Sequence, residues 1–363
     1  MPVQAKRRLH WFCSQPTPYN DFLFSALANS GAFDLLVHFR KIRWPSHPWR
    51  VPFKASFSWR CPIRWGWIDV EAIRLALSER RSYFILAGWE DPWMLVVAMA
   101  RIARGSPFAI WTDCPNPKAR FGLKRILRAR WLAYLFSKAD KVLVTGEAGA
   151  KLLAAMNCPA EKLVVFPYWV AVPPTPKAPP ASSPLRFICL GRLDPIKRFD
   201  LAICALEQVS RERGAGKAAL TLVGEGPQRH HLQNLVESKG LQGCVRFLGW
   251  KEHAEAMQLL EDSDVLVHPA DWEPYGVVVL EAMTLAKPVI ASDHTMAAVD
   301  RVRVGANGFL FKSGDAQDLA GCMLRFVIDR NLIAQMGRQA RLTAEEWPAN
   351  RAIALLKQVA GIA

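Results

Sequence analysis

No stretch of the 363-residue chain stays apolar for long. The longest apolar run, residues 93–100, stops at Arg101 and Arg104, well short of the ~20 residues that a spanning helix needs. The basic start Lys6-Arg7-Arg8 is followed by a short apolar segment, residues 9–13, too short for the apolar core of a signal peptide, so none is expected. The eight cysteines are scattered and form no CxxC pair. That argues against a zinc site and a disulfide framework, and predicts buried thiols in a reducing cytosol. No internal repeat is present. Acidic residues are scarce in the first half: through residue 172 there are 25 basic and 11 acidic residues, a net charge of +14. From residue 173 onward the counts are 22 and 21, which nearly cancel. Eleven of the fourteen tryptophans fall in the basic half as well, so the two halves differ in composition. With 51% hydrophobic and 22% charged residues, the chain is globular rather than disordered.

The division is marked by residues 173–184, which hold six prolines in twelve positions. Such a stretch is neither helix nor central strand and reads as a semi-rigid linker. It separates a first domain, 1–172, from a second, 185–345, with 346–363 as a terminal helical segment. In the second half, short apolar runs end at Gly191, Gly224, Gly249 and Pro269 and alternate with helical spacings. That rhythm predicts a parallel sheet covered on both faces, with ligands outside the carboxyl ends of the strands. The first half shows a weaker version of it, with strands expected over 9–13, 84–86, 108–111 and 142–144. A turn at residues 15–20 precedes its first helix. Residues 38–67, with five tryptophans and four prolines, fit no element.

Three constellations carry chemistry. Gly191-Arg192-Leu193-Asp194-Pro195-Ile196-Lys197 follows a strand and opens a helix, placing two cations at the sheet mouth in a pattern suited to a diphosphate. A plain basic helix start has the same residues. Gly224-Glu225-Gly226-Pro227 is a second tight strand-to-helix turn. Glu273-Pro274-Tyr275-Gly276-Val277 precedes an apolar helix that contains Glu281. A carboxylate in that setting needs partners, and ribose hydroxyls would serve. Gly276 lets the backbone at the helix start approach a phosphate. Asp262-Ser263-Asp264 resembles a metal-binding pair, but no third ligand is apparent, so it reads as solvated carboxylates and no metal is expected.

In this order and spacing, Gly191-Arg192…Lys197, Gly224-Glu225-Gly226-Pro227, Phe247-Leu248-Gly249 and Glu273-x7-Glu281 resemble glycosyltransferase family 4. The resemblance implies an α/β chain of two Rossmann-like domains facing each other across a cleft, the GT-B fold, with the last helix crossing back to the first domain. It implies a retaining enzyme in which Arg192 and Lys197 hold the donor diphosphate in place of a metal, with no cofactor. Glu273 would face the donor sugar and Glu281 the ribose, with Gly249 and Trp250 near the base. Gly191, Gly224, Glu225, Tyr275, Gly276 and Val277 would complete the donor site. UDP is the commoner nucleotide in that family, with GDP open.

The first half departs from the family pattern. Gly88-Trp89-Glu90-Asp91-Pro92 stands where many members have a histidine, and residues 16–20 lack the usual glycine pair. Tyr19, Asn20, Glu90 and Asp113 are the acceptor-side candidates. Asp91-Pro92 reads equally well as a helix cap. Lys118, Arg120, Lys124, Arg125, Arg128 and Arg130, interleaved with Phe121, Leu123, Ile126, Leu127 and Trp131, predict an amphipathic basic helix. Such a helix suits an anionic membrane surface. No nucleic-acid motif is present, so none is expected as partner. The expectation is transfer of a sugar from a nucleotide diphospho-sugar to a glycan or lipid-linked acceptor in cell-surface polysaccharide or glycolipid synthesis, on the cytoplasmic face of the plasma membrane. A non-catalytic scaffold subunit and a nucleotide-sugar epimerase are the alternatives.

Overall fold

The computed structural model describes residues 7–42, 56–61, 69–116, 123–174 and 184–362. They form two units: Met1–Trp169 with Pro348–Ala363, and Val170–Trp347.

The first unit runs β1 (Arg7–Cys13), α1 (Pro18–Asn29), β2 (Phe33–Phe39), β3 (Ser58–Arg60), α2 (Val70–Ser78), β4 (Tyr83–Ala87), α3 (Pro92–Ala103), β5 (Phe108–Thr112), α4 (Leu123–Lys138), β6 (Lys141–Val144), α5 (Glu147–Ala155) and β7 (Leu163–Val165). Its strands form one parallel sheet in the order β3-β2-β1-β4-β5-β6-β7. Phe12, Phe84, Leu86, Ile110 and Val142 pack against Trp93, Val97 and Phe136 from the helices. The apolar run 93–100 is thus the body of a core helix. Arg101, fully buried on α3, donates to the carbonyls of Ala76, Glu79, Ser82 and Pro107 and lies over the Phe84 ring. Burial pushes its pKa down to about 10.

The second unit runs β8 (Leu185–Leu190), α6 (Phe199–Arg213), β9 (Ala218–Val223), α7 (Arg229–Ser238), β10 (Val245–Phe247), α8 (His253–Glu261), β11 (Val265–His268), α9 (Val277–Thr284), β12 (Val289–Ser292), α10 (Met296–Arg301), β13 (Gly308–Phe311), α11 (Ala316–Ile328) and α12 (Asn331–Glu345). Its parallel sheet has the order β10-β9-β8-β11-β12-β13. The strands are apolar along their length because helices cover both faces. A final helix, α13 (Ala349–Val359), belongs to the first unit and packs on α1.

In both sheets the strand order reverses once, between β1 and β4 and between β8 and β11. Loops leaving such a pair of strands diverge and open a crevice at their carboxyl ends. The residues that follow β8 and β11 therefore border one such crevice, and those that follow β1 and β4 border the other.

Several expectations change. The turn expected over 15–20 is shorter, because Thr17 caps α1 by accepting from the Asn20 N–H at 3.2 Å, with Pro18 at the first helical position. Tyr19 and Asn20 consequently sit in the first helical turn. Residues 38–67, which fit no element in the sequence, contribute the end of β2 and the whole of β3. Asp262 and Asp264 are not a solvated pair: Asp264 is buried and held by the Arg186 backbone N–H at 2.7 Å and its guanidinium at 2.9 Å. The prolines at 176, 179 and 180, Lys118, Arg120, Phe121 and the tryptophans at 44, 49, 65 and 67 lie outside the described residues.

Candidate functional site

The second unit's switch point is built from two loops. β8 ends at Leu190, and Gly191 turns the chain at φ +146°. A Cβ on Gly224, which ends β9, would lie 1.9 Å from the Gly191 carbonyl oxygen, so the two strand-to-helix turns touch through bare backbone. The Gly191 N–H donates to the Val223 carbonyl and the Gly224 N–H to the Gly249 carbonyl, aligning three successive strand ends. Two further bonds, Leu193 N–H to Glu225 and Gln228 N–H to Leu193, lock the first turn against the second.

On this frame Pro195–Lys197 forms one 3₁₀ turn and aims Lys197 toward the loop after β11. There the Lys197 Nζ forms an ion pair with the Glu273 carboxylate. The same carboxylate oxygen is 3.0 Å from Nε2 of His268, the last residue of β11, which is 1% exposed. Burial would raise the Glu273 pKa, but the Lys197 charge and the His268 hydrogen bond outweigh it and hold the carboxyl at about 2. Burial lowers the His268 pKa, with Glu273 opposing. A neutral His268 that donates from Nε2 to an ionised Glu273 satisfies both shifts.

Arg192 makes a forked pair with Asp194, at 2.7 and 2.8 Å, on the same turn. Gly276, at φ +96°, starts α9; a Cβ there would lie 3.0 Å from Glu273 Cγ. Val277 is the first residue of α9 and half-buried, and Tyr275 is buried, its carbonyl accepting from the Ala297 N–H. Glu281, one to two turns into α9, has a protein partner: His253 at the start of α8, 2.8 Å away. Glu225 pairs with Arg229, and its Oε1 lies against Gly249, whose φ is +71°. Trp250 is half-buried beyond it.

The structure thus brings Gly191, Gly224, Gly249, Lys197, Glu273 and Gly276 together. Sequence reasoning missed His268, His253, Arg198 and Asp271. Only His268 carries a local signal, as a histidine closing an apolar strand run. The others are matched across 28 to 73 positions and are invisible without the fold.

The first unit's candidates sit at strand ends too. Tyr19 stands edge-on to Tyr168, with ring centroids 4.8 Å apart, and Asn20 is buried. Asp113 directly follows β5. Glu90, at the end of β4, is largely exposed and pairs with Arg128 of α4 at 2.6 Å. Asp91 caps α3, accepting from the Trp93 N–H, and also pairs with Arg40.

Residues 175–343 match the family described as glycosyl transferases group 1. A putative colanic acid biosynthesis glycosyltransferase of Escherichia coli, WcaL, is 30% identical over 62% of this chain and 58% of its own length. The amylovoran biosynthesis glycosyltransferase AmsK of Erwinia amylovora is 29% identical over 53% of this chain and 48% of its own length. The chain spans about half the length of these curated relatives. The crystal structure of Anabaena HepE in complex with UDP superposes with a TM-score of 0.79 at 19% identity, over 98% of this chain and 99% of that one. By these matches the chain has the GT-B fold, and its segment 175–343 belongs to the glycosyl transferases group 1.

Proposed function

We propose that the chain is a retaining glycosyltransferase that moves a sugar from a nucleotide diphospho-sugar, UDP-linked in preference to GDP-linked, to a hydroxyl of a glycan or lipid-linked acceptor in cell-surface polysaccharide synthesis. The observation that carries this is the meeting of Lys197, Glu273 and the Gly276 turn at the second sheet's switch point. Breaking the anomeric bond puts negative charge on the leaving diphosphate. Arg192 and Lys197 are cations held in place before that charge develops, which is electrostatic preorganisation. A diphosphate competes with Glu273 for the Lys197 ammonium, leaving the Glu273 carboxylate, still hydrogen-bonded by His268, to meet the donor sugar. Glu281 exchanges His253 for ribose hydroxyls. The leaving phosphate itself accepts the acceptor's proton, and no metal or cofactor enters the scheme.

The names of the curated relatives support a polysaccharide acceptor, and the UDP in the HepE crystal supports the nucleotide. Thermal-shift measurement against UDP- and GDP-sugars tests the reading, because a ligand at 100 times its Kd stabilises by about 2.7 kcal/mol. A rise with UDP-sugars is expected; no shift with any nucleotide sugar refutes it.

The acceptor reading extends to the membrane. No helix among the described residues is long and apolar enough to cross a bilayer. On α4, Ile126 and Leu127 are more than half exposed beside the exposed Arg130. Apolar side chains among cations fit the inner face of an anionic membrane, bound peripherally. Co-sedimentation with anionic but not neutral vesicles at low salt is the expected result. Equal recovery with both would leave a water-soluble oligosaccharide as acceptor.

A further inference from the structure

We infer that Arg198 is a positioning residue: it clasps the loop after β8 to the loop after β11 and so sets the register of Lys197 against Glu273. The inference rests on the donor-site reading above.

Arg198 follows Lys197 directly and adopts φ +50°, ψ +41°. That left-handed conformation favours glycine, and a side chain there is strained. The retained side chain is fully engaged. Its Nε and Nη2 fork onto Asp200, at 3.0–3.2 Å, and its Nη1 reaches both oxygens of Asp271, at 2.9 and 3.1 Å. Asp200 lies in the first turn of α6 and Asp271 two residues before Glu273. The Asp271 N–H also donates to the Ile196 carbonyl at 2.9 Å. One guanidinium therefore ties α6, the 3₁₀ turn and the β11 loop together, one residue from Lys197 and two from Glu273.

Beside the Ile196–Asp271 backbone bond, the arrangement gives the two loops a side-chain cross-link that does not use the reacting groups. When a diphosphate draws Lys197 away from Glu273, the Lys197–Glu273 tie is lost, and the Arg198–Asp271 tie remains. Lysine at 198 retains one charge but not the fork, so it cannot hold Asp200 and Asp271 at once.

Three variants of the full chain test this: Arg198→Gly, Arg198→Lys and Asp271→Asn. Glycine relieves the backbone strain, so the Tm of Arg198→Gly is expected to hold or rise. Its kcat for UDP release from a UDP-sugar is expected to fall about 10- to 100-fold, since misplacing a reacting group by ~1 Å costs ~10² in rate. The UDP Kd is expected to stay within about threefold. Arg198→Lys should fall between wild type and Arg198→Gly, and adding Asp271→Asn to Arg198→Gly should cause no further loss. A lowered Tm with unchanged kcat would show a structural residue and overturn the inference. A readout free of nucleotide separates this from the functional reading: the acetylation rate of Lys197, followed by mass spectrometry against Lys239 in the same sample. It should rise several-fold in Arg198→Gly. An unchanged rate removes the clasp whatever the kinetics. A raised rate in a protein that binds no UDP-sugar keeps the clasp and refutes the donor site.

Discussion

The two units share a plan and use their buried polar groups in opposite ways. In the first, those groups run across the sheet. Arg60 of β3 donates from Nε to His38 Nδ1 at 2.6 Å; His38 and His10 meet at 2.9 Å; His10 meets Glu79 at 2.9 Å. A guanidinium only donates, so His38 Nδ1 accepts and its Nε2–H donates to His10 Nδ1. The His10 Nε2–H then donates to the Glu79 carboxylate. Both imidazoles are fully buried and neutral, and the chain of donors fastens an edge strand to the middle of the sheet. In the second unit the comparable groups, His268, Glu273 and Lys197, project from strand ends into the crevice. Histidine, glutamate and a basic side chain build a brace in one sheet and the proposed donor site in the other. What decides between them is whether they fall along a strand or just past it.

If the chemistry resides in the second unit, removing its cations has the largest effect. Replacing Arg192 or Lys197 by alanine is expected to lower the transfer rate by ~10²–10³ each, the range for one lost oxyanion donor. The double variant should lose more than either single one. Product assays on purified protein read this directly, and full activity in the double variant would move the catalytic charge elsewhere.

The second comparison concerns backbone packing. Gly224 has φ +142° and faces the Gly191 carbonyl, whereas Gly88, at the end of β4, has φ +105° with open space around its Cβ position. Gly224→Ala therefore meets strain and a backbone clash together, an expected loss of about 3 kcal/mol or more. Gly88→Ala meets strain alone, about 1–2 kcal/mol. Urea titration of the two variants measures the difference. Equal losses would mean that the second unit's turns can relax as freely as the first's.

How much of this contrast the amino-acid pattern carries depends on range. The alternating runs ending at Gly191, Gly224 and Gly249 are local, so the second sheet and its turns were legible; Lys197 and Glu273 stand out in the same motifs, but their pairing is seen only in the fold. The first sheet was less so. Asp34 and His38 interrupt the apolar character of β2, and their partners Arg8 and His10 lie 26 and 28 residues away. Arg60, His38, His10 and Glu79 share no motif. A relay of this kind exists only after β1, β2 and β3 are aligned. The position of Asn20 was misread for a local reason: the Thr17-Pro18 cap that starts α1 has the composition of a turn.

A smaller effect separates the units by pH. His10 and His38 in the first unit, and His268 in the second, are held below their ordinary pKa, by burial above all. The unfolded chain takes up protons at these sites below pH ~6.5, the ordinary histidine value, and the folded chain does not. Stability is unaffected above that pH and falls as the pH drops below it, by up to about 1.4 kcal/mol per pH unit for each histidine. Two such groups should make the first unit the steeper. Tryptophan fluorescence follows that unit, since eleven of fourteen tryptophans precede residue 173. Glu273 acts later: its contribution is present above pH ~4.3 and is lost as the pH falls toward about 2. A fluorescence transition with no pH dependence between 7 and 5 would mean that water reaches the relay.

The smallest effect is expected at Glu90, and it sharpens the comparison most. Glu90 is the carboxylate in the first unit placed most like a catalytic one: past a strand end, at the switch point, beside the cap of α3. Yet it is 69% exposed and its partner is Arg128, an α4 cation 23% exposed. Pairs of this kind contribute roughly 0–1 kcal/mol and are screened by salt. Glu90→Gln keeps the shape and removes the charge. If the first unit uses its polar residues to hold structure and surface, this change should shift stability by less than about 0.5 kcal/mol, and transfer should stay within about threefold of wild type. A loss of ~10² or more with unchanged folding would instead make Glu90 a catalytic base or acceptor ligand, since general bases contribute about 10²–10⁴. The division of labour between the units would then fail at that residue.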